Sequence, residues 1–126
     1  MPRSIPEELD KQFTRDVNSG NLERLLALYE ERAVHVRQDG TVARGPDEIR
    51  QVMEEFIAMQ PRLHLHVTNV VPVDKDIAVV FDRWVLNVAA VDRDSVEMKG
   101  TGIHIARRQA DAGWLFVATG VGNLIP

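Results

Sequence analysis

Apolar positions in the first half of the chain repeat with a helical period. Leu9, Phe13 and Val17 recur every fourth residue and form one stripe. Ser4 and Glu7 have capping-box spacing, Pro6 suits a first turn, and Gly20 suits the end of that helix. Asn21 can cap a second helix in which Leu22, Leu25, Leu26 and Tyr29 face inward. A third helix opens at Gly45-Pro46-Asp47-Glu48 and continues through Ile49, Val52, Met53, Phe56 and Ile57 until Pro61. Between the second and third helices, Ala33 to Arg37 alternates like a strand. Asp39-Gly40 turns the chain and Thr41 to Ala43 returns.

From Pro61 the period becomes two. Leu63, Leu65 and Val67 alternate with His64, His66 and Thr68. A turn at Asp74-Lys75-Asp76 leads into a strand from Ile77 to Leu86. After a polar patch at Asp92-Arg93-Asp94 come a strand from Val96 to Arg108, a turn at 110–113 and a strand from Trp114 to Thr119. The pattern predicts one α+β domain over residues 1–126, with three N-terminal helices on one face of an antiparallel sheet.

Composition narrows the function. The chain has 126 residues, 44% of them hydrophobic, enough for a single buried core. No apolar run is long enough to span a bilayer and the first residues do not read as a secretory signal, so no membrane role and a cytoplasmic location are expected. Cysteine is absent, which removes disulfides, thiolate ligands and thiol nucleophiles. The net charge of −4 argues against nucleic acid as a partner. That excess sits in residues 1–60, with 8 basic and 12 acidic side chains, while the sheet half is neutral.

Several segments resemble the NTF2-like superfamily, in its SnoaL-like and ketosteroid-isomerase-like bacterial branch. They are Asn18-Ser19-Gly20-Asn21-Leu22 with Leu25 to Tyr29, Asp39-Gly40, Arg44-Gly45-Pro46-Asp47-Glu48-Ile49-Arg50, and Arg107-Arg108-Gln109 with Gly113-Trp114. The resemblance implies a cystatin-like cone: a strongly curved sheet around a long helix, an apolar pocket open at one end, and dimers through the convex sheet face. In the isomerases of this group, a tyrosine and an acid form an oxyanion hole and an aspartate abstracts a proton. Those positions fall here on Phe13, near His104, and on Arg37 respectively. Phe13 has no hydroxyl, and Arg37 is not a base near neutral pH. The ketosteroid mechanism is therefore not expected.

The candidate chemistry is His104, flanked by Ile103 and Ile105, as a catalytic imidazole or a hydrogen-bonded structural one. His35 and Arg37 share a strand face at the expected pocket mouth or on a solvated edge. Alternation sends Arg83 and Trp84 to opposite sides; the resemblance puts Arg83 inward, to hold an anion, and Trp84 outward at a dimer face, while a one-residue slip would instead turn Trp84 into the pocket, to stack on a flat ligand. His64-x-His66 lacks a third metal ligand, so no metal is expected. No helix follows Gly100-x-Gly102, so it reads as a bend rather than a dinucleotide site, and no cofactor is expected. The expected ligand is a small apolar carbonyl-bearing molecule, either bound or transformed by proton transfer. The alternative is a non-catalytic dimerisation or association module with a residual pocket.

Overall fold

The computed structural model describes residues 5–89 and 95–124. Its order is α1 (Glu7–Ser19), α2 (Leu22–Leu26), β1 (Tyr29–Val36), β2 (Val42–Arg44), α3 (Gly45–Ala58), β3 (Arg62–Pro72), β4 (Ile77–Val88), β5 (Val96–Arg108) and β6 (Trp114–Leu124). Local signals account for most boundaries. Gly20 adopts φ 70° and closes α1, a left-handed position that glycine takes without steric cost. Asn21 caps α2 by accepting from the Arg24 N–H at 3.1 Å. Glu48 reaches back to accept the Arg44 N–H at 2.8 Å at the start of α3. Ser4 and the Asp92–Asp94 patch lie outside the described residues.

The β1–β2 hairpin lies between α2 and α3, as the pattern predicts. Two expectations are corrected. The second helix is a single turn, and Tyr29 opens β1 rather than continuing α2. The sheet is mixed. Its order is β2-β1-β6-β5-β4-β3, and β1 and β6 run parallel. The other pairs are antiparallel, as alternation predicts.

One face of the sheet carries the core. Leu9, Val17, Leu25, Ile49, Met53, Ala106 and Phe116 are nearly inaccessible. α1 packs along β3, and α3 packs on α2 and β1. Asn18 fixes the end of α1 to β3, since its side-chain amide accepts from the Leu63 N–H at 2.7 Å and donates to the Leu63 carbonyl at 2.9 Å. Between the helices and the far end of this face an internal space remains. No helix among the described residues is long and apolar enough to cross a membrane.

Candidate functional site

The space is a cavity of about 390 Å³. Phe13 of α1, Met53 and Phe56 of α3, and Leu65, Trp84 and Leu86 of the sheet supply apolar walls. Tyr29, His35, Thr119 and His104 supply polar groups, and Arg37, Gln38 and Glu55 also reach it. A few polar groups in an apolar concavity are the usual make-up of a small-molecule site. Phe13, His35, Arg37, Trp84 and His104 therefore line one cavity.

Arg83 does not. Strand parity puts Leu63, Leu65, Val80, Asp82, Trp84 and Leu86 on the cavity side, and Arg83 on the other with His64 and His66. The inward Arg83 and outward Trp84 of the sequence reading are exchanged, because a one-residue slip inverts a whole strand. The outer face holds a depression of about 800 Å³ whose walls include His64, His66, Arg83, Lys99 and Thr101, without buried polar groups converging on it.

His104 stands in a buried cluster of titratable groups. Its Nε2 lies 2.9 Å from Asp82 Oδ2, an ion-pair distance, though the ring N–H is not in line for a hydrogen bond. The Asp82 side chain is fully buried and that of His104 is 15% exposed. Gly102, directly across from Asp82 on β5, makes this contact possible. A Cβ there would stand 2.7 Å from Asp82 Oδ1 and 3.3 Å from His104 Nε2. The β4–β5 ladder runs through Gly102 without a register shift, so the missing side chain leaves room for a carboxylate rather than marking a bulge in that ladder. The register shifts of the β5–β6 ladder each put the extra residue on β6.

Asp10 completes the cluster. It is 2% exposed, and it, Asp82 and His104 each present a polar atom within 4.8 Å of the others. Such spacing would suit a cation as well. Here the imidazole already supplies positive charge beside Asp82, and the three groups read as a set of acids and bases. Sequence reading missed Asp10, although it stands three residues before Phe13 on the apolar stripe. The inward parity of Asp82 with Val80 and Trp84 was a second signal.

Burial dominates the electrostatics. It raises the Asp10 carboxyl to about 7; His104 opposes this, while Asp82 and Glu7 add to it. Burial alone would lower His104, but contact with Asp82 and the charges of Asp10 and Asp82 outweigh it and raise the imidazole above its ordinary 6.5. His35 is lowered to about 4 by burial first, then by His104 and Arg37. Neutral at pH 7, its Nδ1 lies 2.9 Å from Thr119 Oγ1, which is also 3.2 Å from the Tyr29 hydroxyl.

These shifts predict opposed pH dependences of stability. Asp10 is raised from 3.8, so its contribution is complete below 3.8 and lost as pH rises through about 7. His35 is lowered from 6.5, so its contribution is complete above 6.5 and lost as pH falls through about 4. Between pH 4 and 6.5 the two slopes oppose and unfolding free energy should stay nearly flat. Asp10→Asn should leave the His35 slope alone, a loss of about 3 kcal/mol on acidification across that window. His35→Gln should do the reverse and gain stability. Denaturant melts across this range check it; a His35→Gln profile that matches the parent would refute the assignment.

The chain matches the profile of the SnoaL-like domain over residues 11–114. It belongs to that family. This SnoaL-like domain also shares its fold with solved structures of low identity. One is a ketosteroid isomerase-like protein from Erwinia carotovora, 16% identical, covering 93% of this chain and 92% of that one, with a TM-score of 0.79. Another is a candidate dehydratase of the NTF2-like family from Streptomyces avermitilis, 18% identical, covering 90% of each chain, with a TM-score of 0.75. A third is a candidate calcium/calmodulin-dependent protein kinase II association domain from Xanthomonas campestris, 16% identical, covering 90% of this chain and 81% of that one, at 0.79. No curated protein matches. The NTF2-like resemblance read from the sequence is thus correct, and the SnoaL-like domain contains a pocket.

Proposed function

We propose that this SnoaL-like domain binds a small, mostly apolar, carbonyl-bearing molecule and moves a proton on it, with His104 as the acid–base group. One observation carries the reading: His104 lines the cavity with its Nε2 2.9 Å from the buried Asp82 carboxylate, and its Nδ1 has no hydrogen-bond partner among the described residues. An imidazole backed by a carboxylate is a stronger base, and its protonated form is stabilised where it forms. Neutral His104 takes a proton from the carbon beside the carbonyl. The C–H electron pair enters the adjacent C–C bond, and the carbonyl oxygen takes the negative charge. The imidazolium then returns the proton to another carbon, which completes an isomerisation. Arg37 and the Tyr29 and Thr119 hydroxyls, which reach the same cavity, are the donors available to the oxygen. The description of the Streptomyces neighbour as a candidate dehydratase supports this class of chemistry.

The test uses a panel of small cyclic ketones and enones in D₂O. Proton NMR follows exchange at the carbon beside the carbonyl, and tryptophan fluorescence follows binding. Trp84 lines the cavity, whereas Trp114 is buried outside its lining. A ligand should therefore change the emission of the parent protein but not of Trp84→Phe. Binding without exchange would identify a non-catalytic binder, and neither signal would end the reading.

We also propose that the chain pairs with a second copy through the outer sheet face. The description of the Xanthomonas neighbour as a candidate association domain supports this. Trp84 no longer does, because it faces the cavity. Sedimentation as a monomer at micromolar concentration would remove the proposal.

A further inference from the structure

The acid–base reading uses His104 and Asp82 and leaves Asp10 unexplained. An isolated carboxylate is costly in a protein interior, and two together cost more. Asp10 and Asp82 are each 2% exposed. Among the described residues no hydrogen-bond donor is aimed at either oxygen of Asp10. The cation in contact with the pair is His104, and it sits against Asp82. With both carboxylates ionised, the cluster would hold a net negative charge in a dry place. A proton on the pair removes that charge and supplies the missing donor.

We propose that Asp10 is a positioning residue of the site: a carboxylic acid that shares its proton with Asp82, and so sets how strongly Asp82 holds the His104 imidazolium. The assignment rests on the acid–base reading for its consequence in turnover, but not for its geometry. While Asp10 keeps its proton, Asp82 divides its negative charge between two partners and His104 is a moderate base. When Asp10 loses the proton, both carboxylates act on His104 and its proton is held more tightly. The two protons therefore leave in coupled steps that belong to the cluster rather than to single residues.

Other charges bear on this equilibrium. Glu7, Lys11 and Arg15 lie on the same helix, with Lys11 and Arg15 lining the groove beside Asp10. His66 of β3 lines that groove too. Tyr29 of β1 feels the Asp10 charge, and His35 of β1 feels that of His104. Asp82 of β4 and His104 of β5 are the nearest partners. His66 is exposed, whereas Asp82 and His104 meet Asp10 inside the core.

The test is an NMR titration of the His104 ring in the intact chain without ligand. The parent should show two steps at His104, one from its own proton and one echoing Asp10. Asp10→Asn, an isosteric and permanent donor to Asp82, should show a single step at lower pH. Asp10→Leu removes the donor and the charge together and should place the step above that of Asp10→Asn. If Asp10→Asn fails to fold, Asp10→Leu still reads out: a two-step curve in it would overturn the proposal. So would His104 curves identical in parent and Asp10→Asn, or a stoichiometric metal ion in the purified protein. If no ketone is ever exchanged but the titrations behave as stated, the shared proton stands and the proposed reaction falls.

Discussion

Replacing His104 by glutamine should cut the rate of proton exchange beside a bound carbonyl by about 10²–10⁴-fold. Binding, read from Trp84 emission, should change little. Glutamine keeps a polar amide next to Asp82 but cannot cycle a proton. Alanine is the informative contrast, because it leaves Asp82 buried without its partner. Breaking a buried charge pair from one side costs about 3–5 kcal/mol. His104→Ala should therefore be slow and also less stable, whereas His104→Gln should be slow and close to parental in stability. The two rates and two melts decide it. A folded His104→Gln protein that exchanges at the parental rate removes His104 from the chemistry.

The second large effect lies in the backbone. Gly120 stands at φ 79°, and a Cβ there would be driven into the Val36 carbonyl oxygen and against His35 at 3.2 Å. The obstacle is backbone of the neighbouring strand, which cannot rotate away. Gly120→Ala combines a left-handed residue with overpacking, a cost of about 4 kcal/mol. In a chain of this length that lowers the melting temperature by roughly 10 °C or more. Because His35 and Thr119 flank the position, the variant should also bind ligand poorly below its melting point. A Gly120→Ala protein that melts with the parent would show that β6 can move away from β1.

How much of this could be read from the residues follows from their physics. Helix ends were legible at Gly20, Asn21 and Pro46 because local chemistry fixes them. Strand existence was legible from the period of two. Facing was not, since Arg83 and Trp84 differ only in parity and both faces of β4 carry apolar residues. The parallel β1–β6 pair left no mark because the partners are far apart in sequence. Tyr29 looked helical beside a leucine-rich segment, but α2 is too short to hold itself and tertiary pairing took over. His104 was visible as a polar residue between isoleucines. Its partners were not, because Asp10 and Asp82 carry no motif of their own and meet His104 only through the fold.

The place of β6 in the sheet governs how the molecule is assembled. It lies between β1 and β5, so the β1–β2 hairpin joins the β3–β5 meander only through the final strand described. During synthesis both pieces emerge first with open edges. Thr119 and Gly120, which complete the cavity, arrive with β6 itself. The pocket therefore does not grow by degrees. It is closed by a late, long-range pairing that should be slow relative to the local helices and hairpins. Until then the edges of β1 and β5 are unpaired in addition to those of β2 and β3, the state in which the chain is most exposed to aggregation.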